Sequence, residues 1–502
     1  MTTITADGYQ YSPKSGLVFG LPTKACVSPP ARNNKSDKLY DVIVVGAGYT
    51  GLIACRELAL RGHNVLLIEA RDRIGGRTFS AEFDGQHWDI GGTWVHWTMP
   101  FVFNEITRYG LVEQLQMRKM VNDSKPYLTL RLEDGRLINL SPEEDTRTRA
   151  KALTTFFNVD GAQGHLVMPN PHRHDFNKQA FYQFSRLSVK ERMDQVRSEL
   201  TDVEMAYLAA TCINWCGMDL AKASFFDCMR WWSLAGYHPD GITHCAYSYK
   251  LECGQTGLAR AIFADVCSFP NVAYTFKNPI SKISRANGMV KVHTLSHECY
   301  SAKQLICTIP WAVLDTISFE PALPASMQTC IANVNMGNST KIYAEVAGQE
   351  WDAWSYLAPP GNPQRSLGFA ASVGSTPSGN SRMVLFGLRD ELNRELFPDE
   401  DPEETMAALK RTNPELDVQR LVWHNWTKDQ YAKGVWVMFR TAEAEKRLPI
   451  LRESVGPIHF ANADWAHGWR GYIDGAVEQG IDASGKVRKL LGADTGILRA
   501  SM

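Results

Sequence analysis

A short apolar run, Tyr40-Asp41-Val42-Ile43-Val44-Val45, stops abruptly at Gly46-Ala47-Gly48-Tyr49-Thr50-Gly51, and few architectures accommodate that succession. A β-branched run ending in glycines reads as a strand covered on both faces, the kind found in parallel sheets. Residues Leu52 to Arg61 follow as a helix and Asn64-Val65-Leu66-Leu67-Ile68-Glu69 as a second strand, which together make a βαβ unit. In such a unit Gly46 permits the tight turn, Gly48 lets the backbone approach a pyrophosphate, and Gly51 lets helix and strand pack closely. The helix N-terminus offers free N–H groups to the anion. Glu69, about 20 residues on, is the acid expected to accept hydrogen bonds from a ribose. An ordinary turn with a surface glutamate is the plain alternative, and the strand on each side argues against it.

The chain then continues as Ala70-Arg71-Asp72-Arg73-Ile74-Gly75-Gly76-Arg77, which sets cations and a double glycine beside the same phosphates. Gly91-Gly92-Thr93-Trp94 adds a second loop suited to close approach. At 502 residues the chain exceeds one hydrophobic core, so two domains, or one with a large insertion, are expected. Helix formers dominate roughly 114 to 240. Strand character returns near 269 to 323, in Val290-Lys291-Val292-His293 and Leu305-Ile306-Cys307-Thr308-Ile309, so the chain is expected to re-enter its first domain. Turn-rich residues at Ala358 to Gln364 and an acidic loop at Pro398 to Glu404 punctuate the later half. Residues 1 to 38 lack periodicity and read as an extension over the surface, with the ordered fold beginning at Leu39.

A formal net charge of -1 supplies no excess of cations for a phosphate backbone or an anionic bilayer, so neither nucleic acid nor membrane is expected as a partner. No window holds the roughly 18 apolar residues of a membrane helix. A soluble, intracellular protein is expected, cytoplasmic unless the terminal Ala500-Ser501-Met502 acts as a faint peroxisomal signal. Eleven scattered cysteines without C-x-x-C pairs read as mostly buried free thiols. Cys212 and Cys216 share a helix spacing, and His172 and His174 lie in a Pro/Asn/His-rich stretch, yet no metal site is expected at either.

On the strength of the E-A-R-D-R-x-G-G-R run and the G-G-T loop, the chain resembles the flavin-containing monoamine oxidase family, most of all its soluble fungal members. The resemblance covers most of residues 39 to 490. It implies a mixed α/β and α+β fold of the amine oxidase type, with a Rossmann-like FAD-binding domain (39–113, 243–322 and 430–502) and a discontinuous substrate-binding domain (114–242 and 323–429). It implies FAD held by Gly46, Gly48, Gly51, Glu69, Ala70, Arg71, Gly76, Arg77, Gly92, Thr93 and Ile280. Trp426 would stand beside the isoalloxazine, Asp464 in Phe460-Ala461-Asn462-Ala463-Asp464 would meet a ribityl hydroxyl, and Ile473 would open the helix facing the pyrimidine. Val435 stands where animal relatives carry the cysteine that bonds the flavin, so a non-covalent FAD is expected.

The same resemblance makes Trp436 and Tyr472 the two upright rings of the amine site and Lys341 the lysine beside flavin N5. Residue type alone reads each ring as core packing and Lys341 as a solvated lysine. Trp94, Trp97, Trp231, Trp232 and Tyr247 are further candidates for the substrate route. The implied cycle takes hydride from the carbon of a small neutral amine to the flavin, releases an imine to hydrolysis, and passes the electrons to O2 as hydrogen peroxide. Apolar walls disfavour ammonium, so the rate is expected to rise with pH. A polyamine or L-amino-acid oxidase of the same fold, or a non-catalytic FAD-fold scaffold, remains an alternative. So does a homo-oligomer.

Overall fold

The computed structural model describes residues 2–118, 127–173, 176–337, 339–361, 366–388 and 396–492. His174, residues 362–364 of the turn-rich stretch and Ala500-Ser501-Met502 lie outside them.

Strand Leu39–Val45, helix Tyr49–Ala59 and strand Val65–Ile68 form the βαβ unit, with the two strands paired in parallel from Val42↔Val65 to Val45↔Ile68. The helix begins three residues earlier than its hydrophobic pattern suggests, so Gly51 falls in its first turn. A Cβ there would stand 1.9 Å from the Gly46 carbonyl oxygen, so only glycine fits. Strand Val272–Thr275 extends the parallel ladder on one side and Cys299–Cys307 on the other. Val42 to Val44 and Val65 to Leu67 are fully buried, as helices on the faces of a parallel sheet require. The C-terminal helix Ile473–Leu491 packs against Tyr49–Ala59.

A second sheet of nine strands gathers Leu128–Arg131, Leu137–Leu140, Lys341–Val346, Ser355–Leu357, Ser366–Ser375, Ser381–Leu388 and Val418–Trp423, with two strands from the N-terminus. Its ladder is antiparallel around Lys341–Val346, which lies between Ser381–Leu388 and Val418–Trp423. Helices Pro142–Phe157 and Asp202–Cys216 supply the helical layer, each opened by a capping box, at Ser141/Glu144 and Thr201/Glu204. Cys212 and Cys216 are buried on the second of these, and all eleven cysteines are free.

The N-terminus departs from expectation. Tyr9–Ser12 and Gly16–Phe19 extend the second sheet beyond Val418–Trp423, and Ala31–Arg32 pairs with Val272–Thr275 in the first. Ordered structure therefore begins well before Leu39 and stitches both sheets. The reason is electrostatic: Asp7 accepts from Arg71 Nη1 at 2.8 Å and Arg73 Nε at 2.7 Å, and a segment holding two buried guanidiniums cannot lie loose. Among the described residues no helix is long and apolar enough to cross a membrane.

Candidate active site

A cavity of about 620 Å³ runs from the glycine turn after Leu39–Val45 to the face of the second sheet. Gly46, Gly48, Glu69, Ala70, Arg71, Gly76, Arg77, Gly92, Thr93, Ile280, Trp426 and Ile473 all line it, together with Lys341, Trp436 and Tyr472. Of the residues expected at the site, only Gly51 and Asp464 stay out of the wall.

The nucleotide end is shaped by absent side chains. Gly46 has φ +104°, and a Cβ there would sit 2.3 Å from Thr308 Oγ1, whose hydroxyl is spent on the Val45 carbonyl. Gly48 and Gly76 face each other closely enough that a Cβ on Gly76 would lie 3.2 Å from the Gly48 Cα. The result is a cradle of bare backbone at a helix N-terminus, which fits a pyrophosphate. Glu69 is buried; its Oε2 accepts from Ala47 N at 2.6 Å and its Oε1 from Arg71 N at 2.8 Å. Burial pushes its carboxyl up, against the pull of those two amides.

The arginines divide their work differently from the sequence expectation. Arg71 lines the cleft but is held by Asp7 and, at 2.6 Å, by Asp429. Arg73 is wholly buried over the Phe79 ring, bonded to Asp7 and the Gly76 carbonyl, and so fixes the loop instead of meeting a ligand. Arg77 donates to the Val435 carbonyl at 2.6 Å and to Asn462 Oδ1 at 2.9 Å. Asp464, expected to meet the ligand with its carboxylate, is fully buried behind the wall, 2.9 Å from Arg77 Nη2. Its backbone N–H donates to Asn462 Oδ1 at 3.0 Å in a short 3-10 turn, and neither carboxylate oxygen has a hydrogen-bond partner among the described residues.

At the other end Trp426 is buried, edge-on to Phe79 and His424, with Nε1 donating to the Ile90 carbonyl at 3.2 Å. Trp436 is pinned by Nε1 to the Trp215 carbonyl at 3.0 Å and stands at 88° to Phe386. Tyr472 meets Trp231 at 84° and Trp469 at 73°. The two chain segments touch: a Cβ on Gly471, φ +84°, would lie 3.2 Å from the Trp436 Cβ, so glycine before Tyr472 lets both rings root at one place. Trp94, Trp231 and Tyr247 also line the cavity. Trp97 and Trp232 do not: Trp97 is 46% exposed, and Trp232 is stacked on Phe157 in the core.

Lys341 opens strand Lys341–Val346, and its Nζ points back at the loop after Gln86–Asp89. It donates to the Asp89 carbonyl at 2.5 Å, the Gly91 carbonyl at 2.9 Å and Thr93 Oγ1. Burial pulls its ammonium down to about 7, Asp89 opposes the shift and Arg382 adds to it. Sequence reasoning missed Trp215, Asn278, Thr308, Phe369 and Phe386, which line the cavity, and Asp7, which holds Arg71 and Arg73. Phe369 sits on a strand whose Leu367, Phe369, Ala371 and Val373 alternate with small residues, a signal that was readable; Phe386 follows a continuous apolar run, Met383 to Leu385, that marks no single face, and Asp7 carries no signal.

A family model for flavin containing amine oxidoreductases matches residues 49–488. The chain belongs to that family. This amine oxidoreductase therefore takes FAD and oxidises amines. Nicotine dehydrogenase of Pseudomonas putida is 27% identical over 481 residues, spanning 94% of each chain. Pseudooxynicotine dehydrogenase of a Pseudomonas species is 25% identical, over 90% of this chain and 87% of that one. In fold the amine oxidoreductase is similar to a putrescine oxidase bound to putrescine, with TM-score 0.73 at 18% identity, over 90% of this chain and 99% of the other. It is similar also to cyclohexylamine oxidase from Brevibacterium oxydans, with TM-score 0.70 at 19% identity, over 90% and 100%.

Proposed function

We propose that this enzyme is a monoamine oxidase in type: it takes a neutral amine between Trp436 and Tyr472, with Lys341 serving the reaction with dioxygen. Bound FAD supplies the chemistry, accepting hydride from the carbon beside the amine nitrogen and returning the electrons to O2 as hydrogen peroxide. The observation that carries the reading is that both rings and the lysine line the same cavity as the glycine cradle.

The protein's share is orientation and electrostatics. Glu69, fixed by two backbone N–H groups, would present its remaining lone pairs to ribose hydroxyls, and Trp426 and Ile473 would flank the isoalloxazine. The two walls confine the amine laterally, since neither ring is free to swing: one is held by a hydrogen bond, the other by two edge contacts. Among the described residues the only carboxylates in the cavity wall are Glu69 and Asp145. Glu69 lies at the nucleotide end, and Asp145 is paired with Arg149 at 2.6 Å. Only Asp145 Oδ1, which has no hydrogen-bond partner among the described residues, is left to meet a cation, so the wall is poor in counter-charge, which favours a neutral monoamine over a long polyamine. Putrescine oxidation, the activity named for a relative in fold, is the second reading, and this distribution of charge weighs against it.

The test is steady-state oxidation of benzylamine and of spermidine across pH 6 to 9 with hydrogen peroxide as the readout. The proposal expects benzylamine to be preferred and its kcat/KM to rise with pH; spermidine preferred, with a flat profile, overturns it.

A further inference from the structure

The far end of the cavity carries a cation that the reaction at Trp436 and Tyr472 does not use. Arg118 lines the wall just beyond strand Leu115–Met117, which is clamped to Tyr249–Leu251, and its backbone N–H donates to the Ser248 carbonyl at 2.9 Å. Its Nε is buried and has no hydrogen-bond partner among the described residues, and Nη1 reaches the Ser372 carbonyl only at 3.5 Å. Tyr127 and Asp145 act on it through charge alone: Asp145 Oδ2 is paired with Arg149 at 2.6 Å, and its Oδ1 bonds to no group among the described residues. A guanidinium stays charged and carries five donors, so one left this poorly satisfied beside a cavity is a site for an acceptor brought by the ligand.

Register sets the distance from the chemistry. Lys341, Phe386 and Phe369 lie side by side across three strands, and Phe386 touches Trp436. Ser372, which takes Arg118, lies three residues further along the strand of Phe369, or roughly 10 Å at the usual strand rise. An α-amino acid, whose carboxylate is one carbon from its amine, does not bridge that span. A chain of about six carbons does.

We propose that Arg118 forms a distal subsite for an oxygen acceptor, carboxylate or carbonyl, so that the preferred substrates are amines bearing such a group about six carbons from the reacting nitrogen. This rests on the amine-oxidising reading of Trp436 and Tyr472 for its substrate end alone; the acceptor site stands on Arg118.

The test uses the FAD-loaded enzyme and four chains of equal length: hexylamine, 6-aminohexanoate, 6-aminohexanamide and 1,6-diaminohexane. The apparent Kd comes from anaerobic flavin bleaching. Wild type is expected to bind at least one of the acid and the amide tenfold or more tightly than hexylamine, with the diamine weakest. If only the acid gains, the acceptor is a carboxylate; if both gain, any carbonyl oxygen serves. Arg118→Met should bring both down to the level of hexylamine while leaving hexylamine and FAD content unchanged. Equal Kd values for the four chains in wild type, a comparison that needs no variant, overturn the proposal. So does a preference that survives in Arg118→Met. Calorimetry with hexanoate, which carries the acceptor and no amine, separates the two readings. Arg118-dependent hexanoate binding without amine bleaching keeps the subsite and removes the oxidase reading at the rings. Bleaching by hexylamine with hexanoate binding absent, or indifferent to Arg118→Met, does the reverse.

Discussion

At the scale of single residues the account turns on Lys341. Its ammonium titrates near 7, so the charge is present below that pH and lost above it. On the role proposed for Lys341, reoxidation by dioxygen should therefore slow as pH rises through 7, opposite in sign to the substrate-deprotonation limb of the reductive half. Stopped-flow reoxidation of Lys341→Met should be slower at pH 6 by on the order of 10²-fold and independent of pH; a variant as fast as wild type removes the role. Val435 lines the cleft and has no nucleophilic atom, so acid denaturation should release all of the yellow colour into the supernatant, whereas colour retained on the chain contradicts a dissociable FAD. That Trp436 and Tyr472 line the cavity was legible through the family resemblance alone, since residue type reads each as core packing. Asp464 was legible as a position but not as a side chain, since spacing does not say which way a carboxylate turns. Arg118 was illegible: only folding reveals that an arginine has lost its partners.

At the scale of elements, the βαβ unit was readable from local pattern because its hydrophobic run, turn and helix are contiguous. The N-terminal strands were not, because Tyr9–Ser12 is ordered by partners some 400 residues away, pairing Tyr9 with Trp423 and Tyr11 with Leu421. Asp7 locks this segment to the arginine loop. Asp7→Ala leaves Arg73 without its carboxylate and should cost about 3–5 kcal/mol, seen as a lower Tm and earlier proteolysis near residue 10; an unchanged Tm would show that the strand pairing alone suffices. The C-terminal helix carries the opposite kind of residue. Asp474 in its first turn accepts from Val102 N at 2.8 Å, yet burial pushes its carboxyl up to about 7, with Glu478 adding to the shift. A carboxyl raised in the folded state favours folding when protonated, so stability declines as pH climbs from about 4 to about 7. Asp474→Asn should raise Tm by roughly 1–3 °C at pH 8 and leave it unchanged at pH 4; equal effects at both pH values would mean that titration is not the cause.

At the scale of the whole molecule, two sheets held together by the N-terminal strands enclose one continuous cavity, and the family's chemistry depends on that continuity. The nucleotide end follows from the first sheet, where glycines expose backbone; the amine end follows from the second, where Lys341–Val346 and Ser381–Leu388 present Lys341 and Phe386 side by side. Alternation between strand-rich and helix-rich stretches made two layers foreseeable, whereas the pairing of distant strands was not, because register between them is decided by tertiary packing. The most direct measurement is anaerobic mixing of the FAD-loaded enzyme with benzylamine while following flavin absorption, in wild type and in Trp436→Ala. The account predicts full bleaching in wild type, a bleaching rate at least tenfold lower in the variant, and return of the colour with hydrogen peroxide when O2 is admitted. A wild-type spectrum that does not change, or bleaching indifferent to the loss of the Trp436 ring, would contradict it.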